Sequence, residues 1–152
     1  MNLQYVAGII DGEGYVSIDR NSKSDHSLVG RVVVSMGDST IPILLFKQFR
    51  GNYRIQKRNN PNQSDAHIWS VNGVQARKFL RKVLSFLILK KKQAELVIAL
   101  YDLKDDVQVR NHPTEKDSKK QFKLYIEAKK LVTRKGRKTR KDYASYRLWK
   151  SS

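Results

Sequence analysis

The sequence contains no cysteine and only three histidines, and this composition excludes several kinds of site. Without cysteine, the chain can form neither disulfide bonds nor thiolate zinc sites. His26, His67 and His112 are separated from one another in the sequence, so metal motifs built from several histidines are also absent. We therefore expect each histidine to be a surface or strand residue and not a metal ligand.

Long apolar runs are missing as well. No stretch approaches the roughly 18 consecutive apolar residues of a transmembrane helix, and the N-terminus resembles neither a signal peptide nor a transit peptide. We expect an intracellular protein with no membrane partner, and the sequence does not distinguish an organellar from an archaeal or bacterial host compartment. The length of 152 residues predicts a single domain that is large enough for a hydrophobic core.

Acidic residues are scarce relative to basic ones. The chain has 31 Lys and Arg against 14 Asp and Glu, which gives a formal net charge of +17. Such an excess attracts polyanions at long range. A protein of membrane surfaces would place this charge opposite a strongly apolar face, so the composition favours nucleic acid as the partner.

Residues 5–15 combine small, apolar and acidic side chains. The apolar residues favour a short buried helix, and Gly8 and Gly12 repeat a small residue one turn apart, so another backbone could approach closely. Asp11 and Glu13 then stand near the C-terminal end of the helix, where the helix dipole disfavours negative charge. Acids in this position indicate a function, and the alternative is an ordinary solvated turn.

The sequence of residues 6–14, Val-Ala-Gly-Ile-Ile-Asp-Gly-Glu-Gly, closely resembles the LAGLIDADG motif of homing endonucleases. The resemblance implies an α+β fold with an αββαββα core, in which a four-stranded antiparallel sheet forms a DNA-binding saddle, followed by extra C-terminal helices. It also implies that two motif helices cross at an interface. Because the motif occurs once, a homodimer with an isologous interface is expected. The predicted interface residues are Val6, Ala7, Gly8, Ile9 and Asp11.

By the same resemblance, Glu13 binds a divalent metal and the Gly12 carbonyl is a further ligand. Glutamate retains the hard oxygen that Mg²⁺ prefers. Two copies of Glu13 at crossing helices would repel each other unless they were protonated or bridged by cations. Bound Mg²⁺ or Mn²⁺ would remove this repulsion and supply the activated water and stabilised leaving oxygen that phosphodiester cleavage needs.

Four segments after the motif alternate polar and apolar residues, as strands do, and form two hairpins with a helix between them. This order predicts a twisted antiparallel sheet with helices on one face. Its polar outer face could be merely solvated. However, Arg pairs with guanine and Gln with adenine in the major groove, along which members of the family lay this sheet. The predicted DNA contacts are Tyr15, Ser17, Asp19, Asn21, Arg31, Val33, Arg54, Gln56, Arg58, Ala66, Ile68 and Ser70.

A second segment carries the resemblance further. Residues 90–94, Lys-Lys-Lys-Gln-Ala, are similar to the Lys-x-Lys-Gln-Ala segment of single-motif members, in which one lysine points into the catalytic pocket. By that match the pocket lysine is Lys90. A cation there could stabilise charge that develops on the phosphate or orient water. Phosphate contact or simple solvation is the alternative.

Two positions depart from the family pattern. Relatives place a polar Gln or Asn after the second strand and often an Arg a few residues later, where this chain has Met36 and Thr40. Methionine cannot hold a nucleophilic water well. Either the alignment slips by one residue and leaves Ser35 or Asp38 in this role, or the pocket relies on water ordered by the metal.

The C-terminal part is polar and basic. We expect a core over residues 1–103, a connection over residues 104–120 and then a helix that ends near Val132. Six cations follow within residues 133–141. A charge run is usually solvated, but single-motif relatives have a similar Lys-Thr-Arg-Lys segment, which predicts contacts to DNA phosphates. The residues assigned to these contacts are Arg137, Lys138, Thr139 and Arg140.

The first functional hypothesis is a site-specific homing endonuclease, which as a homodimer makes a metal-dependent double-strand break in a long pseudopalindromic DNA site and serves intron homing. The second is a non-cleaving nucleic-acid binder on the same fold, such as an RNA splicing maturase, and Met36 and Thr40 motivate it. A ribosomal or architectural RNA protein is a third hypothesis that only the charge supports.

Overall fold

Five α-helices and four β-strands make up residues 1–21 and 27–132, which are the residues that the computed structural model describes. In chain order the elements are α1 (Leu3–Glu13), β1 (Gly14–Arg20), β2 (Leu28–Met36), α2 (Thr40–Phe49), β3 (Asn52–Gln56), β4 (Ala66–Asn72), α3 (Gly73–Val83), α4 (Lys91–Arg110) and α5 (Glu115–Val132). One turn of 3₁₀ helix, Leu84–Phe86, follows α3. The predicted αββαββα core and additional C-terminal helices are confirmed.

The four strands form one antiparallel sheet in the order β1-β2-β4-β3. Val34 of β2 fixes the register of three strands, because it pairs with Gly14 of β1 on one side and with Trp69 of β4 on the other. Side chains alternate between the two faces, because successive residues of a strand point in opposite directions. The inner face is apolar and buried, and its fully or almost fully buried residues are Val16, Ile18, Val32, Val34, Trp69 and Val71.

Helices α1, α3 and α4 contribute the other side of the hydrophobic core. Their buried residues include Ile10 of α1, Phe79 of α3 and Val97 of α4. Trp69 packs edge-on against Phe79 with ring centroids 5.1 Å apart, and its indole N–H donates to the Arg50 carbonyl oxygen at 2.7 Å. Each side chain of this size stabilises the fold by about 1.5–3 kcal/mol when it is fully buried. The core therefore fixes the outer face of the sheet away from α1, α3 and α4.

Gly30 allows α4 to lie directly against the sheet. A Cβ atom at this position would overlap the Val97 side chain and would lie 2.9 Å from Tyr101 Cε2. The Gly30 backbone N–H donates to the Tyr101 hydroxyl oxygen at 2.9 Å, in a buried setting. A larger residue would therefore push α4 away and break this hydrogen bond.

The predicted boundary at residue 103 and the predicted connection over residues 104–120 are wrong. Helix α4 continues to Arg110, and α5 already begins at Glu115. Asn111 ends α4 in the left-handed conformation with φ 53°, which Asn tolerates well, two residues before Pro113. The polar sequence of the last turns of α4 conceals them from a search for apolar periodicity.

Asp117 holds α4 and α5 together at their shared turn. Its carboxylate accepts hydrogen bonds from the Thr114 backbone N–H at 2.9 Å and from the Arg110 guanidinium at 2.7 Å. These donors lower the pKa of Asp117, with the Arg110 bond as the largest cause. The helical pair is thereby stabilised by a charged contact that sequence periodicity does not reveal. No helix within residues 1–21 and 27–132 combines the length and the hydrophobicity of a membrane span.

Replacing Gly30 by Ala tests the close approach of α4 to the sheet. We expect the free energy of unfolding to fall by about 1–3 kcal/mol, because the new methyl group must displace packed side chains. Urea denaturation followed by circular dichroism measures this change. The matched control is Gly37→Ala, where the nearest atom to a new Cβ is Ser64 Cβ at 3.9 Å. Equal denaturation midpoints for the two variants would contradict the packing argument.

Candidate nucleic-acid interface and metal site

Glu13 is the last residue of α1 and its side chain is exposed. The next residue, Gly14, opens β1 and pairs with Val34, so Glu13 stands where the helix meets the sheet. Within the part of the chain that the structure describes, no hydrogen bond or salt bridge engages the Glu13 carboxylate. Its oxygens are therefore available to a cation.

Lys90 lies at the same end of α1. Its ammonium group donates to the Ile10 carbonyl oxygen at 2.9 Å and to the Asp11 carbonyl oxygen at 2.6 Å. A cation that caps the last carbonyls of a helix also interacts favourably with the helix dipole. Burial lowers the pKa of Lys90, and the charges of Asp11 and Glu13 oppose this effect. The structure thus places Lys90 beside Glu13, with its ammonium group bonded to the backbone of α1.

Asp11 makes the reciprocal contact. Its two carboxylate oxygens accept hydrogen bonds from the backbone N–H groups of Ile88 at 2.8 Å and Lys90 at 2.9 Å. These bonds fix the loop that leads into α4 against the end of α1. The Asp11 carboxylate is thus bonded within its own chain, and its place at the interface between chains stays a prediction.

The free face of α1 differs from the predicted one. Val6 and Ala7 are fully buried in the core of their own chain, because they lie on the side of α1 that packs against the sheet. Their assignment to an interface between chains was therefore wrong for their side chains. Gly8 and Gly12 are exposed, and a Cβ atom at either would meet nothing within 4 Å. Ile9 is half-buried.

Two exposed apolar residues lie next to the end of α1. The side chains of Ile88 and Leu89 are 83% and 74% exposed, and the backbone bond of Ile88 to Asp11 holds them there. Tyr5, on α1, is also more than half exposed. The sequence showed an apolar run at these positions but gave no sign of its place beside the motif. We refer to Tyr5, Gly8, Gly12, Ile88 and Leu89 together as the motif-helix surface.

The register places the predicted strand contacts on the outer face of the sheet. This face also includes Asn52 and Asn72, which the sequence reasoning missed, and Ser35, which it considered only for the cleavage pocket. All three are exposed. Only the pairing between β2, β4 and β3 could have placed them on this face, since each lies at or next to the end of a strand. The predicted residues on this face are Tyr15, Ser17, Asp19, Arg31, Val33, Arg54, Gln56, Ala66, Ile68 and Ser70.

Three of these outer-face predictions are wrong because the side chains are buried. Ser17 has no exposed surface, and Ala66 and Ile68 retain very little. Ser17 lies between Tyr15 and Asp19, and the ammonium group of Lys129 bridges those two neighbours. Neighbouring side chains therefore cover Ser17, and a base edge cannot reach it without rearrangement.

The most accessible row of the outer face is on β3. Arg54 and Gln56 are exposed there, and Asn52 begins the row. Arg58 is exposed too, but it lies beyond the end of β3, where its backbone N–H donates to Asp65 Oδ1 at 3.2 Å. Asn21 likewise follows the end of β1. The prediction that Arg58 continues the strand row is therefore corrected.

Met36 and Thr40, the two residues that depart from the pattern of the family they resemble, lie at the end of β2 and the start of α2. Met36 lies on the inner side of β2 and packs against the core, so it offers no polar group to the site. Asp38 accepts a hydrogen bond from the Thr40 backbone N–H at 2.8 Å, and the bonds to Thr40 lower the pKa of Asp38. Ser35 is exposed on the outer face, one residue after Val34, which pairs with Gly14.

The predicted phosphate contacts of the C-terminal segment, Arg137, Lys138, Thr139 and Arg140, lie outside the described residues.

Within residues 1–21 and 27–132, no group of three His, Asp or Glu side chains could hold a metal ion. At the end of α1, the chain offers one free carboxylate, that of Glu13. A metal ion there would need further ligands.

No protein family model and no curated protein sequence matches the chain. Solved structures do match it. I-CvuI, a homing endonuclease in complex with its target in the presence of Ca, has a TM-score of 0.74 at 19% sequence identity, over 98% of this chain and 92% of that chain. The archaeal intron-encoded homing endonuclease I-Vdi141I, complexed with DNA, has a TM-score of 0.70 at 20% identity, over 99% and 97% of the two chains.

A third structure is longer. I-SmaMI, a LAGLIDADG homing endonuclease bound to cleaved DNA, has a TM-score of 0.67 at 21% identity over 97% of this chain, but the match spans only 48% of I-SmaMI. The chain has the LAGLIDADG homing endonuclease fold. The predicted fold class is confirmed.

Replacing Lys90 by Met tests its contact with the end of α1. We expect the free energy of unfolding to fall by about 1–3 kcal/mol, because two backbone carbonyls lose a charged donor. Urea denaturation measures the loss. Lys92→Met is the matched control, since Lys92 is exposed on the first turn of α4 and should contribute almost nothing. If both variants retain full stability, Lys90 does not cap the helix in solution.

Proposed function

We propose that the chain is a site-specific homing endonuclease, which as a homodimer makes a metal-dependent double-strand break in a long pseudopalindromic DNA site. The observation that carries this proposal is the exposed Glu13 carboxylate, without a partner among the described residues, at the junction of α1 and the sheet. The proposal includes one endonuclease domain over residues 1–152 and an intracellular location.

The chemistry of the outer face supports DNA recognition. Arg54 and Gln56 are exposed side by side on the edge strand β3 and match guanine and adenine edges in the major groove. The net charge of +17 favours binding to a polyanion. The structures of I-CvuI and I-Vdi141I that share this fold contain DNA.

The motif-helix surface supports a homodimer. Gly8 and Gly12 leave two positions on the free face of α1 without side chains, so a second backbone can cross it closely there. The exposed apolar side chains of Ile88 and Leu89 would be covered by the same contact. Two copies of this chain would also account for the length of I-SmaMI, about half of which one copy spans. A two-fold axis through this surface brings the two Glu13 residues towards each other.

The donor atoms at the end of α1 fit a hard divalent cation. Glu13 offers a carboxylate and Gly12 a carbonyl in an exposed position. When bound, Mg²⁺ or Mn²⁺ activates water and stabilises the leaving oxygen. I-CvuI complexes with DNA were obtained in the presence of 2 mM Mg and of 2 mM Ca.

The chain's own residues have separate roles in this pocket. Glu13 holds the negative charge that attracts the cation, and the ammonium group of Lys90 reduces the repulsion between two such carboxylates. The exposed Ser35 hydroxyl, one residue after the pairing of Val34 with Gly14, can donate to and accept from a water molecule. The backbone bonds of Lys90 keep its charge fixed near the reacting phosphate.

A non-cleaving binder or splicing maturase on the same fold is the second candidate. The observation that favours it is Met36, which packs against the core where relatives offer a polar side chain to the pocket. This candidate explains the polar outer face and the basic charge, but it assigns no function to the Glu13 carboxylate.

Cleavage of a randomised duplex pool with symmetric half-sites, in Mg²⁺, tests the proposal. We expect the unmodified chain to cleave selected sequences. Glu13→Gln should cleave them about a hundredfold more slowly, because the amide no longer attracts the cation. Retained DNA binding by this variant would show that only the chemical step is lost.

The matched control is Glu95→Gln, which removes the charge of an exposed glutamate on α4 and should leave cleavage unchanged. Equal cleavage by the Glu13 and Glu95 variants would reject the assigned metal site. Sequence-selective binding without cuts by the unmodified chain, with Mn²⁺ also tried, would favour the non-cleaving binder.

The proposed dimer makes a separate prediction. Ile88→Lys should convert the dimer to a monomer and abolish double-strand cleavage, because it places a charge in the apolar contact. Sedimentation equilibrium measures the state of assembly. Val109→Lys is the control, since Val109 is 86% exposed near the far end of α4. A dimer that survives Ile88→Lys as well as it survives Val109→Lys would place the interface elsewhere.

A further inference from the structure

Asp19 is an acid on the face that we assign to DNA, where its charge would repel phosphate. Its carboxylate is not free. The Tyr15 hydroxyl donates to Asp19 Oδ1 at 2.8 Å, and the ammonium group of Lys129 donates to the same oxygen. Lys129 also donates to the Tyr15 hydroxyl oxygen at 3.2 Å. One carboxylate oxygen of Asp19 is therefore held by two donors on its own chain.

The second donor ties α5 to the edge of the sheet. Lys129 lies in the last turn of α5, and its side chain is three-quarters buried. Burial lowers the pKa of Lys129, but the contacts with Asp19 and Tyr15 outweigh burial and raise the pKa above its usual value. Lys129 thus stays charged at neutral pH.

The other oxygen of Asp19 faces a third cation. Arg31 lies on the neighbouring strand β2, and its Nε is 3.7 Å from Asp19 Oδ2. This distance exceeds that of a hydrogen bond, and among the described residues no partner satisfies the buried Arg31 Nε. The Arg31 side chain is nevertheless 41% exposed. Since Nε is buried, the exposed surface belongs to the other atoms of the side chain.

We propose that Asp19 is a positioning residue that holds the Arg31 guanidinium on the outer face of the sheet, in the orientation that reads a guanine. The inference rests on the proposed DNA recognition and assigns Asp19 an indirect role, in place of the direct DNA contact predicted from the sequence. The attraction of the carboxylate restrains the flexible Arg31 side chain before DNA binds. The cost of ordering this side chain on binding is reduced accordingly.

A direct contact between Asp19 and DNA fits the structure less well. An aspartate that reads a base would accept a hydrogen bond from cytosine. However, Oδ1 already accepts from Tyr15 and Lys129, and Oδ2 faces Arg31. A guanidinium can instead donate two hydrogen bonds to guanine while its Nε side remains next to the carboxylate.

The test is selection of bound duplexes from a randomised pool, with the unmodified chain, Asp19→Asn, Arg31→Gln and the double variant. We expect a preference for guanine at one base pair of each half-site. Asp19→Asn should reduce this preference on the order of tenfold, and Arg31→Gln should reduce it by at least as much. In the Arg31→Gln background, Asp19→Asn should have no further effect on the preference, because the two residues act through one contact.

Asp102→Asn is the matched control. Asp102 is an exposed aspartate that pairs with Arg77 and Arg81 between α3 and α4, on the opposite side of the sheet, so it should leave the preference unchanged. Thermal unfolding of each variant checks that the fold is retained. If Asp19 acted only through its charge, Asp19→Asn would instead tighten binding to all sequences by the same factor. That result would overturn the inference.

The outcomes separate this inference from the proposed function. If the unmodified chain selects no sequence, both the proposed recognition and the role of Asp19 are rejected. If it selects a site and Asp19→Asn selects the same site with the same guanine preference, only the role of Asp19 is rejected.

Discussion

The reciprocal contact between Asp11 and Lys90 is the constraint on which the site depends. Each residue bonds to backbone groups of the other's segment: the Lys90 ammonium group binds the last carbonyls of α1, and the Asp11 carboxylate binds the amides that precede α4. Helix ends leave such groups without partners, and burying them unpaired is costly. These reciprocal hydrogen bonds therefore join the end of α1 to the start of α4. Among the described residues, Glu13 remains the acid without a partner at this junction.

The outer face of the sheet shows how an acidic residue can lie within a basic surface. Asp19 is surrounded by Tyr15, Lys129 and Arg31, so its charge is balanced before any ligand arrives. The same contacts reduce the accessible polar surface of this face, because they cover Ser17. Among the described residues, no such network surrounds Arg54 and Gln56 on the far strand β3, and both are exposed.

The parts of the fold that follow local rules could be predicted from the sequence. The alternating strands and the order of helices follow from the spacing of apolar residues, and the motif located Glu13 at a helix end. The orientation of α1 was harder, because Val6 and Ala7 suit the core and a partner's surface equally well until the sheet is in place. The last turns of α4 were missed because contacts such as that of Arg110 with Asp117 hold them, and not an apolar stripe.

The two edges of the sheet are protected against unwanted strand pairing in different ways. Edge strand β1 carries α5 along it, tied by Lys129, so that another strand has little room to add there. Edge strand β3 is only five residues long and bears the charge of Arg54 next to polar neighbours. Short, charged edges resist edge-to-edge aggregation. The row that suits a base edge therefore also keeps chains apart at that edge while no nucleic acid is bound.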